Sequence, residues 1–310
     1  MGRFQTAGTA AHSSATIEAQ ISDAQYHLGG KLANILDKYG PGPRVHYHIG
    51  LFGPERLDTT VDITLLKHRI VAAQEALIAR AAQVWDADAV LRGEIVDVGT
   101  GLGGGAIYWA QHHAAIVHAL TNVASHIPLI DRFAAAAGVE GRVRPILADA
   151  REIPTSLSVD AAVAMESMCY MPREDVISRL GGIVRPGGWL CIQDVFLQRP
   201  EWGTAFDAYW KTSIGTANEY VDAARRAGFA LDRNEDVTAE TTEFWVQSMA
   251  WAEARIMTLP PDAAERERLA QSVRWHANFF RAWLDGGIQV RILRFRKTDL
   301  GPHSHGRAPQ

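Results

Sequence analysis

The feature that most constrains this chain is a short passage near residue 100. The apolar run Glu94-Ile95-Val96-Asp97-Val98 enters Gly99-Thr100-Gly101-Leu102-Gly103-Gly104-Gly105, and a helical pattern continues to about His113. A buried strand that turns on glycines into a helix is a ready-made site for a nucleotide-like ligand. Glycine permits the tight turn and lets the backbone approach the ligand closely. The helix N-terminus supplies free N–H groups. Asp97, two residues ahead of Gly99, puts a carboxylate at the mouth of the turn, where dinucleotide-binding enzymes usually carry an apolar residue.

Downstream, the pattern alternates. Strands are predicted at Ile116–Thr121, Arg142–Leu147, Asp160–Met165, Trp189–Val195, Phe229–Glu235 and Gly287–Arg296. Helices are predicted at Ser125–Ala137, Pro172–Val184 and Thr216–Ala227, with a long helical insert over about 240–284. Strand–helix alternation argues for a parallel sheet covered on both faces, with ligand loops along the edge where the strands end. Ahead of it lie helical segments at 17–39 and at Asp62 to about Ala87, joined through Gly40-Pro41-Gly42-Pro43 and the loop-like segment Arg44–Phe52. The expected fold is therefore α/β, a Rossmann-like, seven-stranded, mostly parallel sheet with an N-terminal helical lid and a helical insert before the last strand. The expected organisation is a disordered stretch over 1–15, the lid over 16–90, the ligand-binding core over 91–300 and a disordered tail over 301–310.

Composition narrows the partners. Net charge is −4 and no long basic run exists, so nucleic acid is not an expected partner. No apolar stretch reaches the roughly 18 residues of a membrane span, and no signal peptide is read. The start, Met1-Gly2-Arg3-Phe4-Gln5-Thr6, fits a myristoylation pattern but has no basic cluster beside it, and is read as chance. The two cysteines, Cys169 and Cys191, sit in apolar contexts and read as buried free thiols of a cytoplasmic protein. Self-association is left open.

Asp97-x-Gly99-x-Gly101-x-Gly103 resembles motif I of class I S-adenosylmethionine (SAM)-dependent methyltransferases. Asp149-Ala150 is similar to the pair that contacts adenine in that superfamily, and Arg185-Pro186-Gly187-Gly188 to its turn before the fifth strand. The resemblance covers about 90–235 and continues in the final strand. It implies SAM as cofactor, held by Asp97, Gly99, Gly101, Gly103, Asp149 and Ala150. One departure matters. The second strand ends in Leu120-Thr121-Asn122, without the acid that usually grips the ribose. Thr121 or Asn122 can still hydrogen-bond a hydroxyl, without charge.

Three features bear on the acceptor. Glu166 emerges from an apolar strand at the ligand edge, where a carboxylate can serve as a base, stabilise positive charge or contact the cofactor. Asn34 and the segment carrying Arg44, His46, Tyr47 and His48 offer donors to an anion, or form an ordinary lid. Nine tryptophans and the aromatic cluster Phe206, Tyr209, Trp210, Tyr220, Phe244, Trp245 and Trp251 can form a core, or line a cavity that holds an apolar chain and a cation. Together with Glu166-Ser167-Met168-Cys169-Tyr170, Asn218-Glu219-Tyr220 and Asp285-Gly286-Gly287-Ile288, these features resemble the prenyl diphosphate C-methyltransferases over most of 30–296. Trp210 stands where the geranyl members carry a phenylalanine, which leaves chain length and methylated carbon open.

The resemblance implies methylation of an alkene carbon of an isoprenoid diphosphate, geranyl or farnesyl. Glu166 would be the base, and Trp210 and Tyr47 would stabilise a carbocation. Tyr170, Phe206, Tyr209, Tyr220 and Trp245 would line the substrate, with Asn34, Arg44, His46 and His48 at the diphosphate. Mg²⁺ would be bound mainly through substrate oxygens, with no dedicated protein ligands. Rival readings are a methyltransferase of another apolar acceptor (sterol-like, quinone or phenol) and a non-catalytic SAM-binding protein. A dehydrogenase is disfavoured by the missing ribose acid.

Overall fold

The computed structural model describes residues 32–53, 56–58 and 60–298. Seven strands form one sheet: β1 Gly93–Val98, β2 Ala115–Thr121, β3 Val143–Leu147, β4 Val159–Met165, β5 Val184–Leu197, β6 Phe229–Asp236 and β7 Ile288–Lys297. Their order is β3-β2-β1-β4-β5-β7-β6. Every pairing is parallel except those made by β7, which runs antiparallel to both β5 and β6. The fold is the expected α/β, Rossmann-like one, with the direction of the final strand as the added detail.

β1, β2 and β4 are buried nearly throughout because helices cover both faces of the sheet. On one face pack the helices Gly104–His112, Ile127–Ala136, Ile63–Trp85 and Ala264–Leu284 around Trp85, Trp109 and Trp283. On the other pack Arg173–Ile183 and Ala217–Arg226. The lid helix Ile63–Trp85 starts at an Asp62 cap, whose Oδ1 accepts from the Thr64 and Leu65 N–H groups. Its far end is pinned to the sheet, where Trp85 Nε1 donates to the Leu293 carbonyl at 2.9 Å. Among the described residues, no helix is long and apolar enough to cross a membrane.

Three local expectations change. The predicted turn Arg185–Gly188 lies inside β5, with a register irregularity against β4 between Val159 and Ala161. The helical insert is broken at Pro260-Pro261 into Glu243–Thr258 and Ala264–Leu284, because proline ends the ladder of backbone bonds. A helix not foreseen, Gly203–Trp210, follows β5. Of the segment expected as a helix over 17–39, Leu32–Tyr39 is helical and the earlier part lies outside the described residues. The expected terminal segments 1–15 and 301–310 lie outside them as well.

Candidate active site

The strand order reverses between β1 and β4, and the loops leaving these two strands face each other there. After β1 the chain makes a chain of tight turns. Gly99, Gly101 and Gly103 all have positive φ, and the Thr100 N–H donates to Leu120 O, tying the turn to β2. Thr100 Oγ1 donates to Asp97 Oδ2 at 2.7 Å, fixing the carboxylate at the start of the loop. Burial pushes Asp97 up to about 6, opposed by the Thr100 bond and an Ala106 backbone N–H. The two loops touch: Ser167 Oγ donates to Val98 O at 2.6 Å, and a Cβ on Gly99 would lie 2.6 Å from the Ser167 Cβ.

These turns open onto a cavity of about 310 Å³. Asp97, Gly99 and Gly101 form one wall; Thr121 and Asn122 at the end of β2, and Asp149 and Ala150 after β3, form another. Seven of the eight residues expected to hold the cofactor line this space. Gly103 does not; a Cβ there would lie 3.1 Å from Ile130, and its φ of +84 makes the turn. Gly104 and Gly105 line the cavity in its place. His126, missed in the sequence, also lines it; it is 2% exposed and its Nδ1 stands 3.3 Å from Thr121 Oγ1.

The cavity is closed on one side by the strap Val45–His48, which lies across Gly104 so closely that a Cβ there would collide with the Val45 carbonyl. The next residue reaches the β4 loop. The Ile49 N–H donates to both carboxylate oxygens of Glu166, at 3.2 and 3.1 Å. Gln193 Nε2 donates to Glu166 Oε1 at 3.2 Å, and Gln193 O accepts from the Glu166 N–H. Glu166 has φ +45, a conformation rare outside glycine, held here by contacts on three sides. Burial pushes its carboxyl up to about 8; Asp194 adds to this, while the Ile49 N–H and Gln193 oppose it.

Behind Glu166 lies a second, smaller cavity of about 50 Å³. Its walls are aromatic: Tyr39, Tyr47, Tyr170, Phe206, Trp210, Phe244, Trp245 and Trp283. Tyr47, His48, Glu166 and Tyr170 line both cavities and form the neck between them. His48 is held near a pKa of about 3 by burial and by His46. Its Nδ1 stands 2.6 Å from Ile49 O, so it is the protonated nitrogen. Its Nε2 is then a buried lone pair with no partner among the described residues.

The structure brings Glu166, Trp210, Tyr47, Tyr170, Phe206, Trp245 and His48 to the walls of the two cavities, and places His46 on the larger one. Three expected residues lie elsewhere. Arg44 turns away, bonded to Glu75 at 2.9 Å and to Gln111 at 2.8 Å, because Glu75 on the lid helix is its nearest counter-charge. Tyr209 packs on Trp275 and meets Ser272 Oγ at 3.2 Å, one helical step off the cavity face that Trp210 occupies. Tyr220 is fully buried on the opposite face of the sheet and donates to Asp194 Oδ2 at 3.1 Å. The Asn34 side chain lies outside the described residues.

Known proteins agree with this architecture. A family described as a methyltransferase domain matches residues 95–188. The 27-O-demethylrifamycin SV methyltransferase of Amycolatopsis mediterranei is 30% identical over 163 residues, 50% of this chain and 60% of that protein. The chain spans less than two thirds of the length of such curated relatives. A geranyl diphosphate methyltransferase solved with GPP and sinefungin superposes with a TM-score of 0.70 at 18% identity, covering 91% of this chain and 100% of that one. A geranyl diphosphate C-methyltransferase from Streptomyces coelicolor, solved with Mg²⁺, geranyl diphosphate and S-adenosyl-L-homocysteine, gives 0.67 at 17% identity over 86% and 97%. At such identities the structural likeness concerns the fold.

Proposed function

We propose that this chain, which carries a methyltransferase domain of the class I, SAM-dependent type, methylates an alkene carbon of a prenyl diphosphate, a geranyl or farnesyl chain. The observation that carries this reading is the neck: a half-buried carboxylate, Glu166, between a glycine-lined donor cavity and an aromatic-walled acceptor cavity.

The donor cavity suits SAM. Asp97 offers a carboxylate to an ammonium, Thr121 and Asn122 offer uncharged partners to ribose hydroxyls, and Ala150, Met171 and Val176 offer apolar surface to a purine. SAM supplies a methyl group made electrophilic by positive sulfur. The acceptor's π electrons close the new C–C bond as the S–C pair returns to sulfur, leaving a cation on the neighbouring carbon. The faces of Trp210 and Tyr47 stabilise that charge. Glu166 takes the adjacent proton, and the C–H pair restores a double bond. A carboxylate suffices because such a C–H bond is very acidic, so position matters more than basicity. No cluster of three or more His, Cys, Asp or Glu gathers among the described residues. In this reading Mg²⁺ travels on the diphosphate oxygens.

The test is incubation with SAM, Mg²⁺ and isopentenyl, geranyl or farnesyl diphosphate, followed by mass spectrometry. A gain of one methylene on geranyl or farnesyl diphosphate is the expected result; none on any of them removes the reading. Glu166→Gln should lower turnover by about 100-fold or more while S-adenosylhomocysteine still binds. A normal rate in that variant removes the base assignment. One observation favours a second reading, O-methylation of an apolar hydroxyl compound: the unpartnered His48 Nε2 is an acceptor that such a hydroxyl would satisfy. Phenolic acceptors in the same assay decide between the two.

A further inference from the structure

We propose that Lys211 recognises the anionic end of the acceptor, an inference that rests on the prenyl diphosphate reading and names the residue that reads its head group. Among the described residues lining either cavity, Lys211 is the only lysine or arginine. The same walls carry three carboxylates, Asp97, Asp149 and Glu166. Asp149 is satisfied by Arg151, through two bonds to Oδ1 and one to Oδ2. A diphosphate entering this mouth meets negative charge and needs a cation from the protein.

The sequence candidates do not supply it. Arg44 is turned to Glu75, Gln111 and His112, outside both cavities. His48 is neutral and presents a lone pair, which repels a phosphoryl oxygen. His46 Nε2 faces Glu75 at 3.1 Å.

Position favours Lys211. Trp210 ends the helix Gly203–Trp210 and lines the aromatic cavity; the next residue lines the donor cavity. A left-handed turn at Lys211, φ 57 and ψ 42, makes this divergence. The turn is a built one: the Lys211 N–H donates to Asp207 O, and Asp207 Oδ1 accepts from Thr212 Oγ1 and the Ile214 N–H. Lys211 Nζ donates to Ala208 O at 2.7 Å, which leaves two donors and the full charge for a ligand. An acceptor whose hydrocarbon lies on Trp210 and whose head reaches through the neck into the larger cavity would find Lys211 on that cavity's wall.

Two measurements test this, on wild type, Lys211→Gln and Lys211→Arg. Inorganic pyrophosphate is titrated by calorimetry in the presence of S-adenosylhomocysteine, and KM and kcat are measured with geranyl and farnesyl diphosphate. Lys211→Gln should weaken pyrophosphate binding and raise KM by about tenfold or more, the scale of one charge-assisted bond. The loss should fall on KM rather than kcat. S-adenosylhomocysteine, titrated in parallel, should weaken far less than pyrophosphate, and Lys211→Arg should restore the affinity. If wild type methylates a prenyl diphosphate and Lys211→Gln matches it in KM and in pyrophosphate affinity, the inference is overturned and the substrate reading stands. If no prenyl diphosphate reacts but pyrophosphate binds in a Lys211-dependent way, the substrate reading fails and the anion site stands. If wild type binds no pyrophosphate and turns over none of the diphosphates, both are overturned.

Discussion

At the scale of one residue, Glu166 shows how a fold tunes a carboxyl group. Its ordinary pKa is 4.5 and burial carries it to about 8, so in the empty protein near neutral pH it is mostly protonated. Under the proposed function, a sulfonium arriving in the adjoining cavity would favour the ionised form, so donor binding itself would ready the carboxylate. The same shift bears on stability. An acid whose folded pKa is raised contributes stability that is full below its unfolded pKa and is lost as pH rises toward the folded one. The difference in unfolding free energy between wild type and Glu166→Gln should therefore shrink steadily between about pH 4.5 and 8 and be flat outside that window. The slope should be about 1.4 kcal/mol per pH unit, measured by denaturant titration at several pH values. Comparison with the isosteric variant removes the opposing contributions of His48, His276 and Lys38, all depressed by burial. Saturating SAM should move the upper end of the window down, while neutral S-adenosylhomocysteine should leave it in place. A difference that does not vary with pH would mean that Glu166 is ionised throughout.

At the scale of the element, the glycine loop and the strap form one structure. Gly104 is the first residue of its helix, where alanine would ordinarily be weakly preferred. The strap backbone passing over it reverses that preference. Gly104→Ala should lower affinity for S-adenosylhomocysteine by about tenfold, or 1.4 kcal/mol, measured by calorimetry. Unchanged affinity would mean that the strap is free to shift. The strand–turn–helix unit and its cavity wall were legible in the sequence because they are written in contiguous residues: an apolar run, glycines, then a helical period. Which glycine serves which purpose was not legible. Gly103 is spent on the turn and Gly104 on the strap, and only the distant Ile130 and Val45 reveal it. The helix Gly203–Trp210 went unseen for a related reason. It is one short element with no side-chain cap at its start, and a lysine rather than a glycine stops it. Tyr209 and Tyr220 are drawn toward the site by the family resemblance, and neither that nor aromatic density says which face of a helix looks inward.

At the scale of the whole molecule, the site is assembled from pieces far apart in the chain. The strap precedes the first strand by more than forty residues, yet the Ile49 N–H holds a carboxylate 117 positions later. The fold class was readable because each strand and helix announces itself locally; this contact was not, because no local period encodes it. It has a mechanical consequence. Val45, His46, Tyr47 and His48 line the larger cavity, and the next residue holds the Glu166 carboxylate. Cofactor binding should therefore steady the strap, and the strap should steady Glu166, so the acceptor meets a finished site only after the donor is in place. Hydrogen exchange tests this directly. Saturating S-adenosylhomocysteine should slow exchange by about tenfold or more at the amides of Thr100–Gly105 and, with them, at Ile49 and Glu166, since local opening free energies rise together within one cooperative unit. In Gly104→Ala, protection should appear in the glycine loop alone. Protection confined to that loop in wild type would mean that strap and cofactor act independently, and acceptor binding would then show no dependence on the donor.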